Sequence, residues 1–180
     1  MKNLNIEIKA RVSGHGSIRT FLLRHGADFR GTDRQVDTYF TVSNGRLKIR
    51  EGTIESCIVH YSRPDEHGPK RCDYLIEKYD PGDPALARLK ELLTASLGVL
   101  AVVDKQREIY FIDNVKFHLD TVDGLGEFFE IEAIGSSGRG EEALRRQCED
   151  YLTWLGIPGD NLIHSSYSDM VLKRTGESDE

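Results

Sequence analysis

Asn5-Ile6-Glu7-Ile8-Lys9-Ala10-Arg11-Val12 alternates polar and apolar residues without a break. Successive side chains of an extended chain point to opposite faces, so Asn5, Glu7, Lys9 and Arg11 share one face of a strand and Ile6, Ile8, Ala10 and Val12 the other. The same charged alternation returns three times. Arg46, Lys48 and Arg50 alternate with Leu47 and Ile49; Lys116, His118 and Asp120 alternate with Phe117 and Leu119; Glu130 and Glu132 flank Ile131.

Further strands are predicted over residues 35–42, 57–63, 72–79, 102–106 and 108–112, the last two either separate or continuous. A break is expected at Gly31-Thr32-Asp33, and Asn44-Gly45 tolerates the positive φ of a hairpin turn. Three stretches have helical spacing instead. The first starts at Ser17, read as its N-cap, and ends at Gly26; the second carries Leu86, Leu89, Leu92, Leu93 and Leu97 up to a Gly98 cap; the third covers residues 141–155, with Leu144, Cys148, Tyr151, Leu152 and Leu155 on one stripe. Residues 136–140 read as a flexible turn.

Two readings of the charged strand faces are open. Periodicity alone favours an antiparallel sheet with one face on the core and the other in water. The second reading starts from the helices, which are enough to cover the apolar face and so put the charged face inside a closed barrel. Like charges in a lumen repel and lose hydration, so a cationic group beside a carboxylate group implies an anionic ligand bridged by a metal. Polyphosphate with Mg²⁺ satisfies both halves, because Mg²⁺ joins carboxylate oxygens to phosphates while Arg and Lys neutralise the remaining oxygens.

Composition narrows the alternatives. The 180 residues, 38% hydrophobic and 30% charged, are those of one globular domain, expected over residues 1–175 with a polar tail at 176–180. Twenty-four Lys and Arg against 30 Asp and Glu give a net charge of −6, which lacks the basic surplus of nucleic-acid binding. The longest apolar run, residues 97–103, is far short of the roughly 20 residues that span a membrane, and the start has no secretory pattern, so no membrane association is expected and the cytoplasm is the expected location. The 3 cysteines form no CxxC pair, and Cys57, His60, His67 and Cys72 match no standard zinc spacing. The glycine-rich GSSGRG lacks the Lys-Ser or Lys-Thr of a phosphate-binding P-loop.

At NIEIK, residues 5–9, the chain resembles the CYTH proteins, or triphosphate tunnel metalloenzymes, whose signature is ExExK on the first strand. Glu7 matches the second Glu and Lys9 the Lys, whereas Asn5 stands in place of the first Glu. DTYF at 37–40, GRLKIRE at 45–51, YSRPDEHGPK at 61–70, DKQREIY at 104–110, LDTVDGLGEFFEIE at 119–132 and SYSDM at 166–170 extend the likeness over most of the chain, which looks most similar to the class IV adenylyl cyclase branch. The resemblance implies an α+β fold, an antiparallel eight-stranded β-barrel with flanking helices.

It also implies a site. Glu7, Glu130 and Glu132 would be metal ligands, with Asp120 near them, for Mg²⁺ or Mn²⁺. Lys9, Lys48, Arg50, Arg63, Lys70, Lys105 and Arg107 would bind the triphosphate, and Lys9, Arg50 and Arg107 would act in catalysis. The implied substrate is ATP, thiamine triphosphate or tripolyphosphate, and the implied assembly a monomer or homodimer. Three activities follow as alternatives: hydrolysis of an organic or inorganic triphosphate, cyclisation of ATP to cyclic AMP and pyrophosphate, or retention of a polyphosphate without turnover, which the loss of the first Glu at Asn5 would permit.

Overall fold

The computed structural model describes residues 3–63, 68–135 and 140–177. The first four residues of the PDEHGPK loop, most of the 136–140 turn and the last residues of the tail therefore lie outside the described residues. In chain order the elements are β1 (Asn3–Arg11), α1 (Gly16–Arg24), β2 (Asp28–Phe40), β3 (Arg46–Gly52), β4 (Ser56–Ser62), β5 (Lys70–Tyr79), α2 (Pro84–Leu97), β6 (Val99–Ile112), β7 (Val115–Val122), β8 (Gly126–Ile134), α3 (Glu141–Trp154) and α4 (Tyr167–Glu177). The strands close into an antiparallel barrel in the order β1-β5-β4-β3-β2-β6-β7-β8, and β8 returns to β1. Closure decides between the two readings of the charged face: it is the inside.

The helices explain why. Ile6, Ile8, Phe117, Phe129 and Ile131, on the outer faces of β1, β7 and β8, are buried against Ile18 and Leu22 of α1 and Leu144 and Cys148 of α3. Leu86 of α2 covers Phe40 and Ile49. Removing these side chains from water is worth about 1.5–3 kcal/mol each, so the apolar period of the strands faces outward toward helices and leaves the polar period to the lumen. Among the described residues no helix is long and apolar enough to cross a membrane.

Four details correct the expectation or decide what it left open. The Gly31-Thr32-Asp33 break lies inside β2, because Gly31 takes φ +119° and absorbs a shift of register between Phe29 and Gly31 instead of ending the strand. Residues 102–106 and 108–112 belong to the single strand β6. Ser17 is not at the N-cap of α1: His15 holds that position without a side-chain capping bond, and its buried ring donates instead from Nε2 to the Phe128 carbonyl (3.0 Å), anchoring the helix start two residues earlier. The fourth detail is α4, which begins with a reciprocal cap in which Ser166 N donates to Asp169 Oδ2 (2.9 Å) and Asp169 N to Ser166 Oγ (3.2 Å). This helix carries Gly176 and Glu177 of the expected tail.

Candidate functional site

The strand register places the charges before any side chain is considered. Glu7 of β1 lies opposite Glu132 of β8, and Lys9 lies opposite Glu130. Across the next seam Glu132 faces Lys116 and Glu130 faces His118 of β7. On the far wall Asp37 of β2 lies opposite Arg50 of β3, and Tyr39 opposite Lys48. The β1–β8–β7 arc is therefore the one rich in carboxylates, with Lys9 and Lys116 among them, and the β2–β3 arc gathers cations around Asp37.

Both arcs line one cavity of about 310 Å³. Glu7, Lys9, Lys48, Arg50, Arg63, Lys105, Arg107, Glu130 and Glu132 all border it, so the structure brings together nine of the residues read from the sequence. Lys70 borders a small recess shared with Glu7, Lys9 and Arg63, and its Nζ donates to the His164 carbonyl (2.5 Å). Asp120 is fully buried and outside the lining set; it accepts from Arg107 Nε (2.6 Å) and from the Tyr167 hydroxyl (2.8 Å). Its contacts orient Arg107.

Asp37, Glu55, Lys116, His118 and Tyr167 also border the cavity. Glu55 sits in the β3–β4 turn, which has no periodicity to betray it. That turn is built on buried Asp33, which accepts from Ile54 N (2.8 Å), Glu55 N (2.9 Å) and Thr53 Oγ1 (2.9 Å). Glu55 then meets Lys116 across the lumen (2.6 Å). Tyr167 opens α4, and Lys9 Nζ lies 3.5 Å from its ring centroid. Ser166-Tyr167-Ser168-Asp169 fits the S-x-x-D capping pattern, the signal that could have found this helix. Arg11 and Arg46, which also belong to the alternating charged strand faces, point elsewhere: Arg11 donates to the Leu125 carbonyl (2.7 Å) and Arg46 pairs with Asp169 (3.1 Å).

The electrostatics follow from burial and partners. Burial pushes the Glu132 carboxyl up, and Glu7 and Glu130 alongside add to this against the pull of Lys116. Burial acts the same way on Glu130, but Lys9 (3.0 Å) and Arg107 (2.7 Å) outweigh it and hold the carboxyl well below the usual range. Burial lowers Lys105 to about 7 despite its pairing with Asp37, since Arg50, Arg107 and Lys48 add repulsion. His118 falls to about 3 through burial, Arg107 and Lys116, so its ring is neutral near pH 7.

A divalent cation is the group implied at the carboxylate arc. Glu7, Glu130 and Glu132 offer hard oxygen donors, and Asn5 adds an amide whose buried Oδ1 has no hydrogen-bond partner among the described residues while its Nδ2 donates to Glu132. Among the described residues no three of the His, Cys, Asp and Glu side chains converge tightly enough to hold an ion alone. The donor chemistry fits Mg²⁺ or Mn²⁺, which keep open positions for phosphate oxygens and water.

A CYTH domain family model matches residues 3–167. The chain belongs to the CYTH domain family. CYTH proteins are triphosphate tunnel enzymes, and the barrel and charged lumen are of that kind. The PH1012 protein of Pyrococcus horikoshii has a solved structure with a TM-score of 0.77 at 28% identity, covering 95% of this chain and 99% of that one. A Methanocaldococcus jannaschii protein whose name proposes an adenylate cyclase is 22% identical over 174 residues, covering 93% of this chain and 98% of its own length. A Vibrio parahaemolyticus structure, also named for a proposed adenylate cyclase, superposes with a TM-score of 0.70 at 20% identity over 96% of this chain and 99% of that one; at this identity the likeness concerns the fold.

Proposed function

We propose that the tunnel binds an organic or inorganic triphosphate with Mg²⁺ or Mn²⁺ and hydrolyses a phosphoanhydride bond. The observation that carries this reading is the unsatisfied polar lining of the CYTH lumen. Among the described residues, the buried Nε and Nη2 of Arg63 have no partner, although the same guanidinium donates to Glu7. Buried polar groups are nearly always paired, and leaving one unpaired costs about 1–3 kcal/mol. A phosphate oxygen supplies the acceptors that these donors lack.

The residues divide the work. Lys9, Lys48, Arg50, Arg63, Lys70, Lys105 and Arg107 neutralise and orient the phosphates, and Asp120 acts through Arg107. Lys9 and Arg107 pair with Glu130, Arg50 faces the same cavity from the far wall, and the three stabilise charge on the transferred group. Glu7, Glu130 and Glu132 would hold the cation, whose contribution is to polarise phosphoryl oxygens and favour ionisation of the attacking water.

A second reading is cyclisation of ATP, favoured by the names of the Methanocaldococcus and Vibrio relatives. It requires the ribose 3′-hydroxyl in line with the α-phosphorus, a demand beyond triphosphate binding. Chromatography after incubation with tripolyphosphate, thiamine triphosphate or ATP and Mn²⁺ separates the two. Orthophosphate release is expected; cyclic AMP with stoichiometric pyrophosphate and no orthophosphate refutes the hydrolase reading.

A further inference from the structure

Asp37 is the most heavily engaged carboxylate of the lumen and the least accessible, with no exposure to solvent. Its Oδ2 accepts from Lys105 Nζ (2.6 Å), Lys48 Nζ (2.8 Å) and Arg50 Nη2 (3.0 Å), and its Oδ1 from Arg50 Nε (2.8 Å). The donors come from both neighbours of β2, Lys48 and Arg50 from β3 and Lys105 from β6. One carboxylate therefore gathers three side chains that the reading above assigns to phosphate.

Two consequences follow. Lys48 and Arg50, and Lys105 whenever it is protonated, repel one another strongly at the low effective dielectric of a buried site, and one central anion reduces that cost while fixing where each nitrogen points. The same anion competes with phosphate oxygens for these nitrogens. We propose that Asp37 is a positioning residue that preassembles Lys48, Arg50 and Lys105 into a phosphate fork, trading affinity for the polyanion against orientation of the fork. The inference rests on the triphosphate reading.

The trade sets it apart from a structural role, in which damage to the site lowers affinity and turnover together. The test measures tripolyphosphate binding by calorimetry in EDTA, which isolates the cations, and turnover with Mn²⁺. Asp37→Asn is expected to lower Kd by about threefold or more, because a competitor is gone, and to lower kcat by about tenfold or more, because the fork is misaligned. It should melt lower than wild type without anion and gain more in melting temperature when tripolyphosphate is added. Asp37→Glu, which keeps the charge, should not tighten binding.

A Kd in Asp37→Asn equal to or weaker than wild type, an unchanged kcat, or equal tightening in Asp37→Glu overturns the inference. No binding to wild type overturns the triphosphate reading instead. If Asp37→Asn does not fold in NaCl, refolding is repeated in tripolyphosphate at matched ionic strength: recovery there supports Asp37 as a counter-ion, and failure in both overturns it.

Discussion

Replacing Asn5 by Glu tests the carboxylate arc without touching the cations. Asn5 is 2% exposed, its Nδ2 donates to Glu132, and Glu7 is the next residue on the same face of β1. Asn5→Glu removes that donor and sets a carboxylate in its place, roughly 4 Å from Glu132. Two unit charges at that separation repel by about 4 kcal/mol at an effective dielectric of 20. Burial already pushes Glu132 up, so protonation relieves part of the repulsion and about 2–3 kcal/mol remains. At about 2–4 °C per kcal/mol for a chain of this size, the variant should melt roughly 5–10 °C below wild type in EDTA. A divalent cation reverses the sign, since each added carboxylate strengthens a hard-cation site. Mn²⁺ at 100 times its Kd stabilises by about 2.7 kcal/mol and recovers much of the loss. Thermal melts across a Mn²⁺ series measure both effects. Equal melting temperatures in EDTA, or an unchanged Mn²⁺ midpoint, would refute the placement of Asn5, Glu7 and Glu132 around one cation.

Lys9→Ala and Arg50→Ala should each abolish most of the tripolyphosphate-induced rise in melting temperature, which for wild type at 100 times Kd corresponds to about 2.7 kcal/mol; an undiminished rise in both rules out the cationic lining. Lys105 gives a pH dependence: it is held at about 7 by burial against an ordinary 10.5, so between these values the unfolded chain carries a proton that the ligand-free folded protein lacks, and this group makes stability rise with pH. Phosphate favours charged Lys105, so binding takes up a proton and calorimetric affinity should weaken from pH 6.5 to 9; Lys105→Arg should flatten that slope. Leu144 of α3, wholly buried against the outer wall, should cost about 2–5 kcal/mol on replacement by Ala, read from denaturant midpoints, with the cavity chemistry unchanged.

Much of this was legible in the residues themselves. Charged alternation on β1, β3, β7 and β8 is a local property, and it correctly marked Glu7, Lys9, Lys48, Arg50, Glu130 and Glu132 as one face. Whether that face met water or a lumen was not local, because it depended on β8 returning to β1 and on helices reaching the outer wall. The resemblance supplied closure and brought in Arg63, Lys105 and Arg107. Glu55 escaped because a turn built on Asp33 has no period, and Asp37 because a polar residue in a strand does not announce how many cations will converge on it. The α4 cap was readable from Ser166 and Asp169, but the apolar stripe behind it is short, Tyr167, Met170 and Val171.

A crystal structure with tripolyphosphate and Mn²⁺ addresses the central claim most directly. Anomalous density for Mn²⁺ beside Glu7, Glu130 and Glu132, with phosphate oxygens within hydrogen-bond reach of Lys9, Arg50, Arg63 and Arg107, is the expected result. Tripolyphosphate on the outer surface, with neither phosphate nor Mn²⁺ in the lumen under conditions that saturate binding in solution, would contradict the account.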